Sequence, residues 1–379
     1  MSVRFLHTSD WQLGVTRHFL DADSQARWTA ARFEGIRNLG AIAAEENCEF
    51  IVVAGDIFES NQVDRRTIVK ACEAMSAIQV PTFLLPANHE PLDAGSVYRS
   101  KHWKDRKPAQ VQVLEEFGRP VQIRSGVEVV GAPWTSKRPL TDLVADAAAG
   151  LDVAQGVLRV MVGHGAVDEL SPNRDDPAVI HVADAEKAIE EGRFHYLALG
   201  DRHSFSKVGL GGRIFYSGTH EAYDFGEVDP GKVLIVDLGE ERVTVTPRQN
   251  ATWRFVTHQT QISTAEDLDA LARHLDSLQD KDRTIIKLGI VGTLTIRLHA
   301  RLEEIEEHAS DLFGAVVRSH SRSELIVVPD NSDFDELSLA GFAASALDKL
   351  RTQALGAGND AEQASDALAL LMRLAGRAA

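Results

Sequence analysis

The sequence predicts an α/β fold for its first part, followed by a small α+β domain and C-terminal helices. Short apolar runs alternate with helix-like segments up to about residue 240, and this alternation favours a largely parallel sheet or pair of sheets. The pattern changes near residue 250, and polar residues follow the ends of several of the apolar runs. We place the three parts at residues 1–250, 251–333 and 334–379.

The first part contains apolar runs of strand length and two clear helical segments. One helical segment runs from about Ser24 to Glu46 with Trp28, Leu39 and Ile42 at helical spacing, and another lies near residues 63–78. The predicted strands are VRFLHT, EFIVVAG, TFLLP, VEVVGAP, VLRVMVGHG, HYLALG, RIFYSG and KVLIVDL.

The first helix of the second part has a start signal. STAED at residues 263–267 predicts a capping box between Ser263 and Glu266. The segments after that helix are TIIKLGIV, a charged helix around 297–313, AVVRSH and ELIVVP. Two helical patterns close the chain, separated by GAGND at 356–360. The last pattern has an amphipathic stripe that packs on its own domain or docks a partner; its residues are Ala367, Leu370, Leu371 and Leu374.

Composition limits the possible partners of the chain. The net charge is −16, from 40 basic and 56 acidic side chains, which argues against a large basic surface for nucleic acid. It does not exclude nucleic acid, because bound divalent metal ions would add positive charge locally. Two cysteines, Cys48 and Cys72, are too few for a disulfide scaffold. With no membrane-length apolar run and no signal peptide pattern, the sequence predicts a cytoplasmic protein that does not enter a membrane.

Polar side chains at successive strand ends are the most informative feature. Any one of them could be a helix cap or a structural histidine. Together they form the set that a dinuclear metal site needs, with a carboxylate able to bridge, further oxygen and imidazole ligands, and an uncoordinated acid nearby. Open α/β sheets place ligand sites at this edge. The residues are Asp10, Asp56, Asn88, His89, His164, Asp201 and His203.

The motifs that carry these residues resemble a known family. HTSDWQLG, GDIFE, NHE, GHG, YLALGDRH and YSGTHEAYDFGE are similar to the calcineurin-like metallophosphoesterases, and more narrowly to SbcD-type DNA repair exonucleases, the bacterial counterparts of the Mre-eleven nuclease. The resemblance spans roughly residues 3–240. It implies a sandwich of β-sheets flanked by helices, followed along the chain by a small capping domain. It also implies a metal-dependent DNA exonuclease or endonuclease that acts with an SbcC-like coiled-coil ATPase, as a homodimer.

The resemblance also implies a role for each site residue. Two divalent metal ions, typically Mn²⁺, would be held by the motif positions, and His89 would face the phosphate as general acid or transition-state stabiliser without binding metal. The first metal would have Asp10, Gln12, Asp56 and His203 around it. The second would share Asp56 and add Asn88, His164 and Asp201.

Three positions depart from the family pattern. Gln12 and Asp201 stand where histidines are usual, and Ala87 stands where a glycine is usual before Asn-His. Asp201 is a competent hard ligand that favours Mn²⁺ or Mg²⁺ over zinc. Gln12 offers only a neutral carbonyl oxygen, so we expect the first metal to be held more weakly than the second. Ala87 matters little unless its backbone needs a positive φ.

Other readings stay open from the sequence alone. The acidic composition favours a phosphodiesterase that acts on small nucleotides, and the altered ligands would suit a non-catalytic DNA-end-binding subunit. The basic segment YRSKHWKDRK at 98–107 either tracks a DNA backbone, with Tyr98 and Trp103 stacking on bases, or forms a solvated loop.

Overall fold

The computed structural model describes residues 1–319, 323–328, 341–356 and 358–376. The chain divides into two compact units. The first contains residues 1–18 and 25–253, and the second contains residues 19–24 together with the chain from Arg254 onward. No helix among the described residues is long and apolar enough to cross a membrane.

Two six-stranded sheets form the first unit. The strands of the first sheet in spatial order are β12 (Val243–Gln249), β11 (Lys232–Gly239), β1 (Ser2–Thr8), β2 (Ile51–Val53), β3 (Thr82–Leu84) and β4 (Val111–Val113). In this sheet β1, β2, β3 and β4 run parallel, and β11 and β12 extend it in antiparallel fashion. The strands of the second sheet in spatial order are β5 (Pro120–Arg124), β6 (Val127–Gly131), β7 (Leu158–His164), β8 (Tyr196–Gly200), β10 (Ile214–Tyr216) and β9 (Ser206–Val208).

The two sheets pack face to face with helices outside them. Alternate residues of β2 show why both faces are apolar: Val52 belongs to the core between the sheets, whereas Ile51 and Val53 belong to the core under the helices. Phe5 and Phe50 stack at 4.8 Å within the inter-sheet core. The flanking helices are α1 (Ala22–Glu45), α2 (Arg65–Met75), α3 (Lys101–Lys104), α4 (Leu143–Ala149) and α5 (Val182–Glu190). The predicted α/β sandwich is confirmed.

All the strands predicted for the first part are present, and further strands accompany them. β4 and β9 have three residues each, which is too short to show a period. β5 and β12 are partly exposed along their length, so they carry no apolar run. These strands lie at the edges of their sheets.

The second unit is a four-stranded sheet with helices. Its strands are β13 (Arg254–Gln261), β14 (Thr284–Thr295), β15 (Ala315–Arg318) and β16 (Glu324–Val328), all parallel to β14. Its helices are α6 (Ala265–Ser277), α7 (Ile296–Leu312), α8 (Phe342–Ala354) and α9 (Asn359–Gly376). The capping box predicted for Ser263 and Glu266 was wrong by one residue. Thr264 caps the Asp267 N–H and the Asp267 carboxylate accepts from the Thr264 N–H, because α6 begins at Ala265.

The stripe predicted on the last helix is only partly buried. Leu368, which is not in the predicted stripe, is fully buried beside Leu347 of α8, and Leu371 packs against this cluster. Leu370 is 46 % exposed. The side chain of Leu374 lies outside the described residues. The helix therefore packs on its own unit with a face rotated from the predicted one.

Candidate metal centre

The carboxyl ends of five strands bring the predicted site residues together. Asp10 follows β1, Asp56 follows β2, Asn88 and His89 follow β3, His164 ends β7, and Asp201 and His203 follow β8. Parallel strands in the two facing sheets all end at this edge. Asp10, Asp56 and His164 are buried, and one ligand atom from each lies within 4.8 Å of the others.

Asp56 occupies the centre of this cluster. Its Oδ1 lies 3.5 Å from His164 Nε2 and accepts the His89 N–H at 3.3 Å. Its Oδ2 accepts from Gln12 Nε2 at 3.0 Å and lies 3.8 Å from His89 Nε2. Oδ1 thus lies beside His164 and Oδ2 beside Gln12, which suits a carboxylate that bridges two cations.

The backbone at the site is strained. Asp10, Gln12, Asp56 and Asp201 have φ values of +54°, +47°, +55° and +102°, the left-handed region that residues other than glycine rarely adopt. Hydrogen bonds hold these turns, such as Asp10 N–H to Gly55 O at 3.0 Å and Gln12 N–H to Asp56 O at 2.8 Å. Strain that clusters at one edge of the sheets marks this edge as a functional site.

Gly55 allows the two sheets to approach each other here. Its φ is +93°, and a Cβ on it would lie 2.2 Å from His164 Nδ1 and 2.7 Å from the Cβ of Ala87. Ala87 itself has no positive φ, so its backbone does not require glycine. The methyl group of Ala87 is buried against Gly55.

Unpartnered polar atoms provide a test of whether a metal fits. His164 Nδ1 lies 2.8 Å from the Ala54 carbonyl, which can only accept, so Nδ1 carries the proton and Nε2 has a free lone pair. Among the described residues the buried Nε2 of His164, Oε1 of Gln12 and Oδ1 of Asn88 have no hydrogen-bond partner. Unpartnered buried polar atoms are costly, and these three are all metal-ligating types beside a carboxylate pair. The residues present fit divalent metal ions.

Gln12 lies at the site, and its side-chain amide is hydrogen-bonded to one of the two carboxylate oxygens of Asp56. Its amide donates to Asp56 Oδ2 while its Oε1 stays buried and unpartnered. An amide that donates to the central carboxylate competes with a cation for that oxygen. This contact agrees with the expectation of a weaker site on the Gln12 side, which remains a prediction.

His203 is held by an acid that the sequence analysis missed. Its Nε2 lies 4.0 Å from Asp10 Oδ1, and its Nδ1 lies 3.2 Å from Oε1 of Glu227. The other oxygen of Glu227 accepts the N–H of Tyr223 at 2.9 Å, and the Tyr223 ring packs edge-on against His203 at 4.7 Å. A carboxylate on one imidazole nitrogen keeps the other free for metal. Glu227 lies in the quoted motif, but no local spacing pairs it with His203.

Asp201 is the most exposed of the predicted ligands. Its side chain is 38 % exposed, with Oδ1 3.9 Å from His164 Nε2, and its N–H donates to Asp10 Oδ1 at 3.0 Å. An exposed carboxylate on the rim is free to turn toward a cation or solvent.

His89 stands apart from the buried ligands. Its side chain is 32 % exposed, and Nδ1 lies 2.8 Å from the Glu59 carbonyl, so Nδ1 is the protonated nitrogen. Nε2 carries no proton in this form and lies 3.8 Å from Asp56 Oδ2. The placement suits a group that meets substrate.

The electrostatics of the cluster favour added positive charge. Burial raises the pKa of the Asp10 carboxyl. Burial acts to lower the pKa of the His164 imidazole, but the carboxylates of Asp56, Asp10 and Asp201 outweigh it and raise the pKa. For His203, Glu227 and Asp10 likewise outweigh burial and raise the pKa. The cluster thus holds more negative charge than its own cations balance.

The buried acid Glu90 organises the loops behind the site. Its Oε1 accepts the Ile57 N–H at 2.9 Å, next to Asp56, and the Tyr98 hydroxyl at 3.1 Å. Tyr98 and Trp103 are each 2 % exposed and pack edge-on at 5.2 Å. The proposed stacking of these two rings on bases was therefore wrong, because both rings are used in the core. Exposed cations such as Lys104 and Arg106 remain on the same segment.

Comparison with known proteins shows what the first part of the chain is similar to. Residues 3–166 match the calcineurin-like phosphoesterase family, and this range includes every predicted site residue except Asp201 and His203. TT1561 of Thermus thermophilus is 11 % identical, with 65 % of this chain and 99 % of that chain covered and a TM-score of 0.42. Purple acid phosphatase PPD1 from yellow lupin (Lupinus luteus) seeds is 11 % identical, with 66 % of this chain and 52 % of that chain covered and a TM-score of 0.37.

The matched residues and the buried Asp–Asp–His cluster point to the same chemistry. Asp201 and His203 lie beyond the matched residues, yet both face Asp10. Residues 3–166 thus match the calcineurin-like phosphoesterase family, and metal-dependent phosphoester hydrolysis is the activity class that this match and the buried cluster support.

Proposed function

We propose that the protein is a metal-dependent DNA nuclease that hydrolyses phosphodiester bonds in DNA repair. The observation that carries its chemistry is the set of buried unpartnered ligand atoms, Gln12 Oε1, Asn88 Oδ1 and His164 Nε2, around the Asp56 carboxylate. The DNA substrate rests on the resemblance of the HTSDWQLG and YLALGDRH motifs to SbcD-type nucleases.

Two cations, Mn²⁺ by the family resemblance, are assigned to the buried ligands. Lewis-acid chemistry at such a pair polarises the phosphoryl oxygens and makes water acidic enough to attack near neutral pH. The ligands proposed for the pair are Asp10, Gln12, Asp56, Asn88, His164, Asp201 and His203.

His89 has the role of proton donor to the leaving oxygen. In hydrolysis a water oxygen bonds to phosphorus and loses a proton to solvent, the bond from phosphorus to the leaving oxygen breaks, and that oxygen gains a proton. The proton from His89 must leave from Nε2, because Nδ1–H is committed to the Glu59 carbonyl. Glu59 thereby orients the imidazole through its backbone.

The test is metal content and cleavage measured on the same preparations. We expect His89→Ala to keep its Mn²⁺ content and to lose about 10²–10⁴-fold in kcat on labelled single- and double-stranded DNA. His181→Ala is the matched control, since His181 is 51 % exposed and contacts Asp168 rather than any proposed ligand. Loss of metal together with activity in His89→Ala would make His89 a ligand.

A second candidate is hydrolysis of a small phosphodiester, which the net charge of −16 favours. Turnover of bis-p-nitrophenyl phosphate by a protein that leaves DNA intact would decide for it. A wild-type protein that binds DNA ends but cleaves neither substrate would instead be a non-catalytic subunit.

We propose an SbcC-like coiled-coil ATPase as a partner and a homodimer as the working form, both from the family resemblance. Leu370, 46 % exposed on α9, belongs to the face left for such a docking contact. Truncation after Gly356 tests this surface: loss of ATPase binding with an intact melting transition supports docking, whereas unfolding of the truncated protein would attribute any lost binding to the packing of α9 on its own unit.

A further inference from the structure

Trp134 anchors one end of an exposed loop beside the candidate centre. Its Nε1–H donates to the His164 carbonyl at 3.0 Å, and its ring packs edge-on against the imidazole at 6.1 Å. Its N–H donates to the Pro86 carbonyl at 3.0 Å and its carbonyl accepts the Leu92 N–H at 2.8 Å. Pro86 and Leu92 flank the Asn88–His89 segment. Trp134 is therefore tied both to a proposed ligand and to both sides of the proposed acid.

The loop that follows Trp134 carries two exposed cations. Lys137 and Arg138 are exposed, and the structure gives neither side chain a hydrogen bond or ion pair among the described residues. A chain of three or four residues spans at most about 11 to 14 Å, so both Cα atoms lie within that distance of the Trp134 Cα. Successive phosphates of one strand rise about 3.4 Å each along a duplex. Both Cα atoms therefore lie within the length of a few nucleotides of Trp134, the residue that contacts His164.

Several surface arginines of the first unit are already held in ion pairs, whereas the structure gives Lys137 and Arg138 none among the described residues. Arg37 pairs with Glu34 and Glu73, and Arg119 pairs with Glu116. In a chain with a net charge of −16, exposed cations without an ion pair are available to an anion.

We propose that residues 135–140 form a contact for the nucleic-acid backbone, with Lys137 and Arg138 on the phosphates that flank the scissile one. This inference rests on the proposed function and narrows it. A substrate with several consecutive phosphodiesters uses this loop, whereas a small phosphodiester does not reach it.

The test compares two double variants that remove the same charge. Lys137→Ala/Arg138→Ala removes the loop cations. The matched control is Lys187→Ala/Arg242→Ala. Lys187 lies in the last turn of α5, and Arg242 lies in the turn after Gly239, which pairs with Ser2 at the end of β1 remote from Asp10.

Binding of labelled DNA is measured at several salt concentrations in a His89→Ala background, and kcat/KM is measured for DNA and for bis-p-nitrophenyl phosphate with His89 intact.

The quantity compared is the slope of log K for DNA binding against log salt concentration. Because the loop variant loses two phosphate contacts, we expect the magnitude of this slope to fall by about 1.4 for single strands or about 1.8 for duplex DNA. We also expect its ratio of kcat/KM on DNA to kcat/KM on the small diester to fall at least tenfold. The control should keep both quantities. Lys137→Arg/Arg138→Lys should keep the salt slope, which separates charge from folding.

The failures are distinguishable. An unchanged slope and ratio in a protein whose wild type cleaves DNA overturns the loop contact and leaves the nuclease intact. A wild type that hydrolyses the small diester but neither binds nor cleaves DNA overturns the nuclease and the loop contact together.

Discussion

Replacing Glu227 by glutamine should move the proton of the neutral His203 imidazole from Nδ1 to Nε2. In the native protein one carboxylate oxygen accepts the Tyr223 N–H at 2.9 Å and the other faces His203 Nδ1 at 3.2 Å. A glutamine has only one oxygen, and the Tyr223 N–H needs it. The amide NH₂ then faces His203 Nδ1, which must accept. The proton moves to Nε2, the nitrogen that faces Asp10.

The size of the effect follows from burial and charge. Glu227 is only 4 % exposed, so solvent screens the contact little. Hydrogen bonds to a charged partner contribute about 1.5–3 kcal/mol against about 0.5–1.5 for neutral ones. Loss of a carboxylate behind a histidine ligand lowers metal affinity about 10–100-fold. We therefore expect the Kd of one Mn²⁺ to rise at least about tenfold, or about 1.4 kcal/mol.

The assays are titration of Mn²⁺ and ¹⁵N NMR of the His203 imidazole in the metal-free protein. Only the binding of the cation assigned to Asp10, Gln12, Asp56 and His203 should become weaker, while the second cation should keep its Kd. Glu240→Gln is the control, because the Glu240 side chain is 60 % exposed and lies 3.7 Å from the terminal amine. An unchanged tautomer with unchanged Kd values would refute the role of Glu227, and equal weakening of both cations would point to general disruption.

Two further predictions concern stability. Tyr98→Phe removes the hydroxyl that donates to buried Glu90 at 3.1 Å and should lower the unfolding free energy by about 1–2 kcal/mol in urea; unchanged stability with weaker DNA binding would contradict its structural role. Burial lowers the pKa of His7 and of His220 to about 3, so both stay neutral in the fold while the unfolded chain gains protons below about pH 6.5. Stability is therefore lost as pH falls, by about 2 kcal/mol per histidine from pH 7 to pH 5. His220→Gln should reduce the loss of unfolding free energy between pH 7 and pH 5 by about 2 kcal/mol. The same loss in the variant and the wild type would show that His220 does not contribute.

Much of the fold was predictable because the buried strands are short continuous apolar runs. IVV of β2 and YLALG of β8 contain only buried residues, and this pattern needs no partner to be recognised. The edge strands β5 and β12 mix exposed and half-buried residues, so they become strands only through their neighbours. The shift of the capping box from Ser263 to Thr264 has a similar cause, since both pairs of residues satisfy the local rule.

The sequence by itself determined which side chains stand at the strand ends, because strand length and the residue after each strand are local properties. Asp10, Asp56, Asn88, His164 and His203 were all named from that order. Only the tertiary structure decided where those side chains point and what holds them. Glu227 reaches His203 across 24 residues, and Trp134 reaches His164 across 30. The inward packing of Tyr98 and Trp103 was likewise decided by contacts with Phe58 and Glu90. Such contacts depend on how sheets and loops pack together, and residues distant in the chain have no spacing that encodes them.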